Sequence, residues 1–259
     1  MTAIRAVIFD WAGTMIDFGS FAPMGVFVEA FRRFGIEATI EEARAPMGMP
    51  KRDHIHAMLK APRLAAEWAR VHGAAPTAED VTRVYEVFVP MNEAVVADYA
   101  RLVPGAKDTL DWLAERGIKV GSTTGYTRAI MARVAPVAAA QGFRPLNMVC
   151  ADDLPEGRPG PLGMYQCFID LCVHPPASVL KVDDTPPGIA EGVAAGCPTV
   201  GVALSGNIAG LTPEALGALP PAEVDDIRAR AAAILREAGA THVIDTVADL
   251  PRLIAAEWP

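Results

Sequence analysis

Cysteine is scarce: the 259 residues hold four, Cys150, Cys167, Cys172 and Cys197, and no two are spaced as CxxC. That spacing disfavours a disulfide framework or a zinc site, and the apolar or small neighbours point to buried reduced thiols. Positive charge is also short. Lys and Arg number 23 against 31 Asp and Glu, a formal net charge of −8, which argues against general nucleic-acid binding. No stretch approaches the ~18 apolar residues of a membrane span, so no membrane partner is expected. The first residues lack the order of regions of a signal peptide, and their apolar run is cut by Asp10. A cytoplasmic protein is the expectation. Internal repeats and low-complexity tracts are absent as well.

With 51% hydrophobic and 21% charged residues, the chain can bury a full core. Short β-branched runs alternate with helical patterns, which predicts an α/β fold with a doubly wound parallel sheet. Strands are expected at Ala3–Asp10, Ile118–Thr124, Met148–Ala151, Val179–Asp183, Thr199–Ala203 and His242–Ile244. Several end in polar groups: Asp10, Ser122-Thr123-Thr124, Asp152-Asp153 and Asp183-Asp184-Thr185. Open parallel sheets bind ligands at that edge.

From Phe21 to about Ala100 the alternation stops, and only helices are predicted: Ala22–Phe34, Ile40–Arg44, Arg52–Leu59, Pro62–His72 and Ala78–Tyr99. An all-helical insertion after the first strand and its turn reads as a cap over the sheet edge. The division is therefore residues 1–20 and 101–259 as core and 21–100 as cap, with Val103-Pro104-Gly105 marking re-entry. The Ala-rich Ile227–Ala238 reads as a core helix, and Ser205–Pro221 as irregular structure.

Four segments carry chemistry. Phe9-Asp10-Trp11-Ala12-Gly13-Thr14 delivers a carboxylate from the first strand into a Gly/Thr turn. Gly121-Ser122-Thr123-Thr124-Gly125-Tyr126-Thr127-Arg128 places hydroxyls before a helix N-terminus, which suits phosphate oxygens or simple helix capping. Lys181-Val182-Asp183-Asp184-Thr185 sets two acids at a strand end, able to hold a hard divalent cation such as Mg²⁺. In Ala45-Pro46-Met47-Gly48-Met49-Pro50-Lys51-Arg52-Asp53-His54, a broken loop opens a helix with Lys51 one turn before His54. Taken alone this is an exposed basic helix start. Under a cap, burial and neighbouring cations would lower the lysine pKa and make an amine nucleophile. An anionic ligand would need a local basic pocket, for which Lys51, Arg52, Arg128, Arg158 and Lys181 are the candidates.

Together these segments, with Phe21-Ala22-Pro23, Glu41-Glu42-Ala43-Arg44 and Gly157-Arg158-Pro159, resemble the phosphonatase (phosphonoacetaldehyde hydrolase) family of the haloacid dehalogenase superfamily. The superfamily's first motif is Asp-x-Asp-x-Thr, whose second acid protonates an oxygen leaving group. Here that position is Ala12. A further superfamily Asp, four residues beyond Asp184, is replaced by Gly188, with Asp183 or water to fill the gap.

The resemblance implies that Lys51 forms a Schiff base with phosphonoacetaldehyde and that Asp10 attacks phosphorus, giving an aspartyl-phosphate and then acetaldehyde and phosphate. It implies Mg²⁺ held by Asp10, the Ala12 carbonyl and Asp184, and substrate held by Thr124 and Arg158. Met47, Gly48, His54 and Tyr126 would shape the cap side, with His54 shuttling protons near Lys51. It further implies a homodimer joined through the cap and a place in 2-aminoethylphosphonate degradation. His56, His72, His174 and His242 have no partner visible in the sequence. A sugar-phosphate phosphatase or phosphomutase would need the acid missing at Ala12, and a dehalogenase would not need the Asp183-Asp184 pair. A binding module would have lost the nucleophile, the acids or the lysine, and all three are present.

Overall fold

A computed structural model describes residues 2–259. Six parallel strands form one sheet in the order β3-β2-β1-β4-β5-β6. They are β1 (Ala6–Phe9), β2 (Lys119–Thr123), β3 (Met148–Val149), β4 (Val179–Asp183), β5 (Thr199–Val202) and β6 (His242–Ile244). All six expected strands are present, four of them shorter than expected.

The central strand explains the continuous apolar run at the chain's start. Val7 and Phe9 pack into one core cluster and Ala6 and Ile8 into another, so both faces of β1 are covered. The first cluster includes residues of α6 (Ala106–Glu115), α7 (Arg128–Ala140) and α12 (Leu250–Glu257). The second lies under α8 (Leu162–Leu171). Helices α9 (Pro186–Ala194) and α11 (Pro221–Glu237) contribute Ile189 and Leu235 to a smaller cluster beside β5 and β6.

The inserted helices are α1 (Met24–Arg32), α2 (Ile40–Arg44), α3 (Lys51–Lys60), α4 (Pro62–His72) and α5 (Ala78–Val95). They enclose a separate core built on Phe27, Phe31, Ile55, Leu64, Trp68 and Phe88. Two of them start on reciprocal capping boxes: Thr39 with Glu42, and Thr77 with Asp80.

Three expectations need correction. The segment Ser205–Pro221 contains a short helix, α10 (Pro213–Gly217), capped by the Thr212 side chain. The long cap helix stops at Val95 and finishes in a 3₁₀ turn over Val96–Tyr99. All four thiols are free, but Cys172, which ends α8 in a left-handed conformation at φ 49°, is exposed. Among the described residues no helix is long and apolar enough to cross a membrane.

Candidate active site

The order in which the chain adds strands reverses at β1, whose neighbours β2 and β4 lie on opposite sides. Residues following these three strands converge with the start of α3 on one narrow cavity. Asp10, Ala12, Met47, Gly48, Lys51, Thr124, Tyr126 and Arg158 all line it, together with Ser20, Gly125 and Thr185.

The acids are crowded. Carboxylate oxygens of Asp10, Asp183 and Asp184 lie within 4.8 Å of one another, and all three side chains are buried. Burial and the charge of Asp183 raise the Asp10 pKa to about 6, although Arg158 and Lys181 oppose the shift. Asp184 is pushed well above the carboxylate range by burial and by Asp10 and Asp183. Its oxygens accept from the Thr14 hydroxyl (3.1 Å) and the Asn207 amide (2.7 Å). A divalent cation would relieve this repulsion, so Asp10 and Asp184 fit a metal's donor set.

Asp183 differs. Burial alone would raise its pKa, but Arg158, Lys181 and the Thr185 hydroxyl hold it below the usual range. Its Oδ2 lies 3.1 Å from Lys181 and 3.3 Å from Arg158. Its Oδ1 accepts from the Thr185 amide and hydroxyl at 3.0 and 2.7 Å. Gly188 then has a steric reason: a Cβ there would lie 1.9 Å from Asp183 Oδ2, so the Asp183 carboxylate takes the space of a side chain at that position.

Gly13 turns the chain at φ +86°, and its missing Cβ is where Asp184 sits, 2.3 Å from an ideal Cβ position. Gly48 does the same for the cap. It has φ +93°, and a Cβ would lie 2.2 Å from Thr185 Oγ1, so the cap loop reaches the core only through glycine.

Lys51 is 3% exposed, and its Nζ contacts aromatic faces and sulfur. Nζ lies 5.0 Å from the Tyr126 ring centroid, 5.7 Å from that of Phe27 and 3.9 Å from Met47 Sδ. Burial lowers its pKa to about 8, against the pull of Asp10 and with help from Arg158. Tyr126 is itself buried, its hydroxyl unpartnered and its pKa pushed well above 10, first by burial.

His54 falls outside the cavity lining. Its ring stacks on Phe27 at 3.9 Å, and Nε2 donates to the Ala43 carbonyl at 2.8 Å, since a carbonyl can only accept. Burial and then Lys51 push its pKa well down, leaving a neutral ring with an unpartnered Nδ1.

Arg158 comes from the loop before α8 and is 6% exposed. It donates to Asp10 Oδ1 (2.8 Å), the Thr123 carbonyl (2.7 Å) and the Thr123 hydroxyl (2.8 Å). The Thr124 hydroxyl accepts from the Tyr126 amide at 3.1 Å and keeps its own proton free to donate. Of the five basic candidates, Lys51, Arg158 and Lys181 are buried in this region. Arg52 and Arg128 are exposed and bonded elsewhere, to Thr82 and to Asp153.

The sequence reading missed two features. Ser20 lines the cavity with a buried, unpartnered hydroxyl and a left-handed φ of 54°, which no composition signal announces. Arg44 of α2 bridges to the core by donating to the Gly19 carbonyl (2.8 Å) and Asn207 Oδ1 (3.1 Å). Asn207 is the residue whose amide holds Asp184, so one contact chain links cap and acid cluster.

Residues 4–196 match the family of haloacid dehalogenase-like hydrolases. A Paraburkholderia phytofirmans protein named phosphonoacetaldehyde hydrolase is 51% identical over 96% of this chain and 94% of its own. One of the same name from Klebsiella pneumoniae is 48% identical over 98% and 96%. A crystal structure from Oleispira antarctica, described as phosphonoacetaldehyde hydrolase-like, superposes with a TM-score of 0.96 at 44% identity, covering 99% of this chain and 94% of that one. A hydrolase from Pseudomonas syringae shares the fold at a TM-score of 0.70 and 19% identity, over 98% of this chain and all of its own. The chain belongs to the phosphonoacetaldehyde hydrolase family of the haloacid dehalogenase-like hydrolases.

Proposed function

We propose that this protein hydrolyses the P–C bond of phosphonoacetaldehyde to acetaldehyde and phosphate, through an imine on Lys51 and a phosphoryl group on Asp10. The observation that carries the reading is Lys51 itself: a buried amine held against aromatic faces, sharing one cavity with a strand-end carboxylate that has Ala12 two residues on. Such a site offers an amine for an aldehyde and no acid at position 12 for an oxygen leaving group.

The steps follow from the groups present. Neutral Lys51 Nζ adds to the aldehyde carbon, and loss of water with uptake of one proton, given back when the acyl phosphate is hydrolysed, gives a protonated imine. An Asp10 oxygen attacks phosphorus as the P–C electron pair moves into the iminium, leaving an enamine on Lys51. Water hydrolyses the acyl phosphate, freeing phosphate and Asp10. Protonation of the enamine carbon and hydrolysis release acetaldehyde, for a net use of one water. Arg158 and Thr124 hold the phosphonate oxygens, Met47 and Tyr126 flank Lys51, and Gly48 lets the cap loop meet the core. His54, neutral and on the same helix as Lys51, offers Nδ1 as a proton acceptor. Asp10, the Ala12 carbonyl and Asp184 would hold Mg²⁺, which would supply charge neutralisation for the phosphonate.

The same reading takes residues 21–100 as the moving cap and 1–20 with 101–259 as the core. It pairs two chains through their caps, and it places the enzyme in the cytoplasm, in 2-aminoethylphosphonate degradation. The test is borohydride trapping with phosphonoacetaldehyde on wild type and Lys51→Arg, with peptide mapping by mass spectrometry. An adduct on Lys51, and loss of both adduct and phosphate release in the variant, is the expected result. Phosphate release undiminished in Lys51→Arg, with no adduct in wild type, would overturn it.

A further inference from the structure

Beside Arg158 lies a buried charge cluster that the proposed steps leave unused. Glu191 of α9 is 2% exposed, and its Oε2 lies 3.0 Å from Arg158 Nε, 3.1 Å from Lys181 Nζ and 2.7 Å from the Thr123 hydroxyl. The Thr123 hydroxyl is the hub. It is contacted by the Arg158 guanidinium at 2.8 Å and by Lys181 Nζ at 2.7 Å, and both of those groups can only donate. With both lone pairs taken, its single proton points to Glu191. The hydrogen bonds in this hub therefore run in one direction only.

Two glycines make room for this arrangement. A Cβ on Gly163 of α8 would lie 2.6 Å from Glu191 Oε1, and one on Gly192 of α9 would lie 2.7 Å from Lys181 Cβ. Both helices therefore close on the acid and its lysine only because these positions carry no side chain.

We infer that Glu191 is the positioning residue for Arg158. Its carboxylate draws the Nε side of the guanidinium by charge at 3.0 Å, with no hydrogen bond there, and orients the Thr123 hydroxyl that, with the Thr123 carbonyl, holds Nη2, so that Nη1 faces Asp10 and the place where an anion's oxygens would sit. Lys181 offsets the charge of Glu191 in the interior, where an unpaired acid would be costly. Glu191 touches no reacting atom in this arrangement. It acts through the direction in which a planar, five-donor group is held. This inference rests on the reading of Arg158 as the anion-holding residue of the proposed reaction.

The positioning role has a signature that simple electrostatics cannot mimic. As a through-space charge alone, Glu191 would repel an anion, and its neutralisation would tighten anion binding. As an orienting group, its loss weakens binding.

The experiment is calorimetric titration of inorganic phosphate into magnesium-containing wild type, Glu191→Gln and Glu191→Leu, with thermal midpoints recorded for each. Outer-shell partners of this kind are worth roughly 10–100-fold. We expect phosphate affinity to fall about tenfold in Glu191→Gln, which keeps an acceptor for Thr123, and further in Glu191→Leu. Affinity unchanged or tightened in Glu191→Gln would overturn the inference, and a lowered thermal midpoint with unchanged affinity would assign Glu191 a structural role only. If Glu191→Leu does not fold, the glutamine variant decides. Phosphate binding does not depend on P–C cleavage. A wild type that binds phosphate in a Glu191-dependent way but leaves phosphonoacetaldehyde intact would reject the proposed function and keep this inference.

Discussion

Consider the protonation of Lys51 as the pH is raised from 6 to 11. Burial takes its pKa from 10.5 to about 8. At pH 7 the neutral fraction is then about 9%, against about 0.03% for an ordinary lysine, a gain of roughly 300-fold in usable amine. The difference is about 3 kcal/mol between the two protonation states. A small amine-reactive ester applied across this range, with the Lys51 peptide quantified by mass spectrometry, reads the titration directly. Lys60, exposed at the far end of the same helix, serves as the internal comparison. Lys51 is 3% exposed, so labelling passes through an opening of the cavity, and as long as that opening is rare the midpoint still reports the buried amine. Labelling that rises with a midpoint near pH 8 and levels off below about 10 is expected. A Lys51 profile that keeps climbing beyond 10 would refute the argument that burial among aromatic faces activates this amine.

Other outcomes follow from the same geometry. Mg²⁺ at 100 times its dissociation constant should stabilise the protein by about 2.7 kcal/mol, visible as a rise in thermal midpoint that Asp184→Asn removes. Without divalent metal, the folded-state pKa of Asp10 is about 6 against 3.8, so folding is favoured by its protonation. Its cost to stability is fully present above about pH 6 and disappears below 3.8, and a midpoint-against-pH series with and without Mg²⁺ checks the sign. Gly48→Ala forces a left-handed alanine, worth about 1–2 kcal/mol of strain, and drives a methyl into Thr185. Steady-state turnover should drop at least about tenfold for a misplacement of this size, with the helical signal by circular dichroism retained. Gly188→Ala should displace the Asp183 carboxylate and abolish phosphate release, measured with a coupled phosphate assay.

Much of this was legible because the signals are local. Residues 6–9 are apolar without alternation, and only a strand covered on both faces needs that pattern. Gly13 and Gly48 stand where the backbone takes positive φ, and each was part of a segment already singled out for chemistry. Where the reading failed, the deciding partner lay far along the chain. Arg128 stood in the hydroxyl-rich motif and looked like an anion ligand, but Asp153 captures it on the surface. The role of His54 as a shuttle stays a proposal, and the Ala43 carbonyl and the Phe27 ring decide that Nδ1 is the nitrogen it has left for it. At Gly188 the expectation that Asp183 or water fills the gap agrees with the Asp183 carboxylate standing where a side chain would be. Glu191, inside an ordinary amphipathic helix, carried no signal at all.

The sequence by itself determined the order of the elements, the six strands and the residues at their ends, since period, turn chemistry and strand-end polarity act over a few neighbours. It also determined which chemistry was disfavoured, through the missing acid at Ala12. Tertiary structure alone decided the charge states. A lysine near 8 and an aspartate near 6 arise from desolvation and from charges 100 or more residues away, such as Arg158 on Asp10. Such shifts depend on distance and burial in space, which no window along the chain contains.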